Sequence, residues 1–255
     1  MAYSSIVKPS VHFNTKLYTG NGSTNAITGV GFQPDWVWCK ERGASGDHRL
    51  FDAVRGATKD LVSNNSDAQA TSATSLTAFN TDGFTLGSEG GINGSSDTFV
   101  SWNWKANGAG SANTDGSINS TVSANTTSGF SIVKWSGSGA NATIGHGLGV
   151  APKMVITKSL GSSAWGVYNE NLGNTNVLFL DTNAATSANI AYWNNTSPTS
   201  SVFSVGTDSA VNHSGNDMIA YCFAEKKGYS KFGSYVGNGN ADGSFIYTGF
   251  KPSWI

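Results

Sequence analysis

The sequence predicts an all-β protein built of tandem antiparallel β-sandwich, jelly-roll-like repeats of about 118 residues. Three features lead there. The chain repeats itself: Tyr18-Thr19-Gly20-Asn21-Gly22 returns as Trp135-Ser136-Gly137-Ser138-Gly139, and Phe99-Val100-Ser101-Trp102-Asn103-Trp104 as Met218-Ile219-Ala220-Tyr221-Cys222-Phe223. Aromatic pairs such as Trp36 with Trp38, and Trp102 with Trp104, recur at a spacing of two, the side-chain period of a strand. Short apolar runs are separated by turns rich in Gly, Asn and Ser, and no long helical periodicity competes with them.

In chain order, residues 1–10 form an N-terminal arm and residues 11–108 the first sandwich. Strand-like runs in that unit lie at 11–18, around Trp36 and Trp38, at 49–54 and around Trp102 and Trp104. Residues 109–127 are a linker, or a hairpin in which 117–123 folds against 129–135 around Asn125-Thr126-Thr127-Ser128. The second sandwich spans 128–228, with strand candidates at 130–135, 153–158, 177–180, 202–205 and 218–224. Offsets between the units stay at 117 from Tyr18 to Trp135, 118 from Pro34 to Pro152 and 119 from Trp104 to Phe223, the drift expected of loop insertions. Residues 229–255 begin a third, incomplete unit: Tyr235-Val236-Gly237-Asn238-Gly239 and Gly249-Phe250-Lys251-Pro252-Ser253-Trp254 repeat the opening of the first. The array is read as a piece of a longer, three-unit one, or as ending in a hairpin that completes another sheet.

Composition narrows the function classes. Only 12% of residues are charged and the net charge is −1, so a nucleic-acid surface is not expected. No apolar run has the length of a membrane span, and the start lacks the basic and apolar regions of a signal peptide. The abundance of Gly, Ser, Thr and Asn matches surface-exposed β proteins. Cys39 and Cys222 have no metal or disulfide spacing and read as small buried hydrophobes.

The runs Tyr18-Thr19-Gly20-Asn21-Gly22-Ser23, Gly31-Phe32-Gln33-Pro34-Asp35-Trp36-Val37 and His146-Gly147-Leu148-Gly149-Val150-Ala151-Pro152 resemble a repeat domain of marine tailed bacteriophages. Trp193-Asn194-Asn195-Thr196-Ser197-Pro198-Thr199-Ser200-Ser201-Val202-Phe203 and Ala220-Tyr221-Cys222-Phe223-Ala224-Glu225 are similar to the same cyanophage and pelagiphage virion proteins. The resemblance implies a virion structural protein, either a tail fibre or receptor-binding part, or a head fibre or decoration. Its implied setting is the particle surface, its partners other virion proteins and copies of itself, with a trimer expected in a fibre. It carries over no catalytic residue, and no cofactor is expected.

The residues themselves point the same way. No catalytic set has the spacing of a known motif, no Asp-x-Asp-x-Asp array suggests calcium, and most Asp stand in turns such as Thr81-Asp82-Gly83. His146 lies in a glycine-flanked turn and reads as structural; Thr28 is taken as its counterpart. Trp36, Trp38, Trp102, Trp104 and Trp135 have apolar counterparts in the other unit and are assigned to sandwich cores, with Trp254 like Trp36. Trp165, Tyr192 and Trp193 have none, which makes them the candidate ligand-binding surface for host glycan or a partner. A carbohydrate-binding adsorption module is the alternative function, and a polysaccharide depolymerase a third.

Overall fold

The computed structural model describes residue 4 and residues 6–255. Of the arm expected over 1–10, residues 1–3 and 5 lie outside the described residues; Ile6 is buried and Pro9–Val11 make one 3-10 turn into the first strand.

The first unit contains β1 (Phe13–Thr19), β2 (Asn25–Thr28), β3 (Trp36–Glu41), β4 (Arg49–Asp52), β5 (Lys59–Val62), β6 (Ala70–Thr71), β7 (Leu76–Asn80), β8 (Gly83–Leu86), a single helical turn α1 (Gly90–Asn93) and β9 (Thr98–Trp104). Next come β10 (Ser111–Asn113) and β11 (Ser120–Asn125). The second unit holds β12 (Phe130–Ser136), β13 (Ala142–Gly145), β14 (Met154–Ser159), β15 (Gly166–Asn169), β16 (Asn176–Phe179), β17 (Ser187–Ala188), α2 (Ile190–Trp193), β18 (Val202–Val205), α3 (Ser209–Asn212) and β19 (Asp217–Phe223).

These strands form four sheets. In the first unit a six-stranded sheet runs β1-β9-β3-β4-β5-β6 and faces a three-stranded sheet β2-β8-β7. The second has an eight-stranded sheet, β10-β11-β12-β19-β14-β15-β16-β17, over the pair β13-β18. Six strands of the larger sheet thus follow the order of the smaller one, with β12 in the place of β1 and β19 in that of β9. Where the first unit has β7, the second has the turn α2. The chain is all-β and antiparallel along its main ladders.

Repeated residues hold matching corners. Gly20 and Gly137 follow β1 and β12; a Cβ on either would stand 2.1 Å from a carbonyl oxygen, of Gly94 and His213 respectively. Asn93 and Asn212 end α1 and α3 with buried side chains. Asn93 Nδ2 donates to the carbonyls of Ser23 and Gly87, each at 2.6 Å, while its Oδ1 accepts from the Asn21 amide at 3.0 Å. Asn212 does the same with Ala140 O at 2.7 Å, Gly206 O at 3.4 Å and the Ser138 amide at 3.0 Å. Each Asn satisfies backbone groups that its turn would otherwise bury unpaired.

The 109–127 segment resolves in favour of the hairpin: β11 pairs with β12 from Asn125↔Phe130 to Ser120↔Trp135. Residues 232–255 carry no strand, so the third copy does not fold as a sheet here, and Tyr235, Val236, Phe245 and Tyr247 are exposed.

The largest departure from expectation concerns the tryptophans. Alternation puts Val37 and Cys39 on one face of β3, where they join Ile27, Phe51, Phe84 and Leu86 in the first sandwich core. Trp36 and Trp38 point the other way. That face packs on the second unit's large sheet, so Trp36 and Trp104 belong to a cluster with Phe130, Ile132, Ile156, Ile219 and Tyr221 between the units. Trp38 and Trp102 are half-buried at its margin, Trp254 is 43% exposed, and of the six tryptophans assigned to sandwich cores Trp135 alone fills one, beside Trp193, which was not so assigned. Counterpart positions share a face in both units, and the two faces cover each other.

Candidate functional site

The seam between the units is aromatic and then polar. Trp36 stacks on Tyr221 with centroids 4.3 Å apart and an 18° interplanar angle, and on Phe130 at 5.6 Å. Beside this stack the fully buried Asp52 carboxylate accepts from Arg55 Nε at 2.5 Å and from the Tyr221 hydroxyl at 2.8 Å. Arg55 spends its other donors on Leu50 O, Lys59 O and Gln69 Oε1. Burial, reinforced by the Asp52 carboxylate, pushes the Tyr221 hydroxyl well above its ordinary pKa and keeps it a donor. The ion pair lies within the first unit, and the Tyr221 hydroxyl ties the second unit's large sheet to it.

Loops close the seam. The Trp165 indole Nε1 donates to Val62 O at 3.0 Å and Asn65 O at 3.2 Å, and Gln69 N donates to Leu160 O at 2.9 Å. Lys158, fully buried, donates its ammonium to the carbonyls of Ser159 and Gly161, each at 2.9 Å, and of Ser66 at 3.4 Å. Burial lowers its pKa to about 8. Lys40 makes the equivalent turn contacts in the first unit, to Glu41 O and Ala44 O.

The three candidate residues therefore divide. Trp165 is buried and serves as a rivet between the units, and Trp193 is buried edge-on against Tyr168 at 5.8 Å. Neither offers a ring face to a glycan, because each indole is consumed by packing. Tyr192 is half-buried, meets Phe179 edge-on at 5.8 Å, and lines an open cleft of about 660 Å³.

That cleft sits where the seam reaches the surface. The first unit contributes Asn65 and Ser66, the loop before β15 contributes Ser162 and Ser163, the end of β16 contributes Phe179 and Asp181, and the start of α3 contributes Asp208 and Ser209. Each carboxylate is aimed by a backbone amide: Asp181 Oδ1 accepts from Trp165 N at 3.1 Å and Asp208 Oδ1 from Ala210 N at 2.8 Å. Burial, with the Asp208 carboxylate second, raises the Tyr192 hydroxyl pKa. Sequence reasoning singled out neither aspartate, since it reads most Asp as turn residues. A contrast between the repeats marks one of them. Strand register sets Arg49 against Gly166, and the N-cap positions of α1 and α3 set Glu89 against Asp208. In the first unit Arg49 fills this corner, bonded to Asp60 at 2.5 Å with Glu89 at 3.7 Å. Among the described residues Asp208 makes no ion pair, and Gly166 brings no side chain to this corner.

Elsewhere, side chains that suggested chemistry are structural. His146 is buried; its Nδ1 accepts from Leu148 N and its Nε2 faces Thr199 O, each at 3.2 Å, and burial lowers its pKa. Register of β13 against β2 makes Gly29 its counterpart, one position from the Thr28 expected. The Asp82 carboxylate accepts from the amides of Gly29 at 3.0 Å and Gly31 at 2.6 Å, as a turn residue should. Among the described residues no group of three or more His, Cys, Asp or Glu is placed to hold a metal ion, and no helix is long and apolar enough to cross a membrane.

No curated protein and no solved structure matches the chain. Residues 8–255 match a family described as a domain of unknown function, DUF7483, and with nearly its whole length inside that match the chain belongs to this family.

Proposed function

We propose that the chain is a non-enzymatic structural protein of a phage virion, displaying fused β-sandwich units on the particle surface as a tail fibre or appendage, or as a head fibre or decoration. The observation that carries this reading is the seam: two similar units are locked face to face through Trp36, Trp104, Phe130 and Tyr221 into one body, the construction suited to a stiff displayed element. The resemblance to marine phage virion proteins supports the setting. A surface low in charge supports exposure outside a cell. The exposed Tyr235, Val236, Phe245 and Tyr247 support contact with further protein, other virion components or copies of this chain in a symmetric oligomer.

Purified particles of the encoding phage, labelled with gold-conjugated antibody to this chain, test the reading. Label at a defined place on tail or head is expected. A chain found in the infected-cell lysate and missing from purified particles would overturn it.

A further inference from the structure

We propose that the cleft beside Tyr192 binds a neutral sugar residue of a glycan. The inference goes beyond the structural role and stands on the geometry of the cleft.

The cleft offers acceptors in fixed positions. Asp181 and Asp208 each have one oxygen held by a backbone amide, and the second oxygen of each takes no protein donor among the described residues. In the first unit the matching carboxylate, Glu89, lies near the guanidinium of Arg49; Gly166 stands at that position in the second, which leaves Asp208 open to a donor from outside the chain. Next to the carboxylates, Phe179 and Tyr192 supply apolar ring surface for the C–H face of a pyranose.

The lining chooses among ligand classes. Two carboxylates repel an anion, and the ammonium nearby, on Lys158, is already engaged by three carbonyls. A metal ion is best held by three or more charged or imidazole ligands drawn together, and among the described residues no such group exists. Sugar hydroxyls donate and accept: they donate to the carboxylates and to the oxygen of Ser162, whose own proton goes to Ser66 O at 3.1 Å, and they meet the Ser163–Ser209 hydroxyl pair, bonded to each other at 3.1 Å. The cleft is open and has a volume of about 660 Å³, room for one ring and for the chain that continues from it.

The test uses the full chain and saturation-transfer NMR with methyl glycosides of glucose, galactose, mannose and N-acetylglucosamine, beside N-acetylneuraminic acid and spermidine. Binding of at least one neutral glycoside is expected, above that of the acid sugar and the polyamine. Asp208→Asn keeps an oxygen to cap the Ala210 amide, and Asp181→Asn keeps one for Trp165 N, so both leave the fold intact. Each is expected to weaken binding about tenfold, the loss of a charge-assisted hydrogen bond. Tyr192→Ala should remove ring contacts and weaken it similarly, with an unchanged melting temperature in the aspartate variants as the control for folding. Failure of all four neutral glycosides to bind overturns the proposal. So does a preference for the acid sugar or spermidine, and so does binding that the aspartate variants leave untouched.

Discussion

At the scale of single residues, the repeat explains itself through backbone needs. Gly20 and Gly137 recur because a carbonyl occupies the place of a Cβ, and Asn93 and Asn212 recur because each completes a buried set of turn hydrogen bonds. Such residues were legible in the sequence, since the same local geometry imposes the same side chain twice. Lys158 was not. It matches Lys40 in its bonds to the following turn, but only the folded chain shows that the Ser66 loop covers it. Its buried ammonium has a pKa of about 8, against about 10.4 in an unfolded chain. Between those values the unfolded state binds the extra proton, so the penalty Lys158 imposes on folding fades as pH rises from 8 towards 10. Denaturant midpoints of wild type and Lys158→Met over that range should show the wild type gaining relative to the variant. A difference that is flat or runs the other way contradicts the placement of this ammonium.

At the scale of elements, the two units treat the same strand differently. β12 is paired on both sides, by β19 and β11, and carries Val133 on its core face. β1 pairs with β9 and, among the described residues, with no other strand; Lys16 stands where β12 has Val133. An inward-facing lysine on an open edge discourages pairing with another chain. Lys16→Val is therefore expected to add concentration-dependent self-association beyond that of the wild type, read by sedimentation velocity; identical profiles would show that the edge is protected by something else. The strands themselves were legible from period-two alternation. What each face meets was not, because alternation tells which side chains share a face and says nothing of what lies opposite. That is why Trp36 was assigned to a sandwich core and is found in the seam, and why Trp165 read as a surface residue while its indole reaches Val62.

At the scale of the whole molecule, the seam couples the units. Trp36→Ala removes a fully buried indole stacked on Tyr221 and should cost about 3–5 kcal/mol in chemical denaturation. Wild-type unfolding should be one transition, seen alike by tryptophan fluorescence and far-UV circular dichroism; a loss below about 1 kcal/mol in the variant would mean that the seam yields readily around the gap. The cleft at the end of the seam was hidden from sequence reasoning for a related reason: its residues come from both units and from five separate chain segments, most of them unremarkable alone. Tyr192 was the one member singled out. The hairpin of β11 with β12 bears on how such chains can be cut and rejoined. The segment between the units belongs, by its hydrogen bonds, to the sheet that follows it. A recombination junction placed just before β12 would strip that sheet of its border and bare Val133, while one placed before β10 would carry the border along. The portable cassette of this architecture thus begins upstream of its apparent domain, and gene exchange that respects the fold should break near residue 109 and spare residue 128.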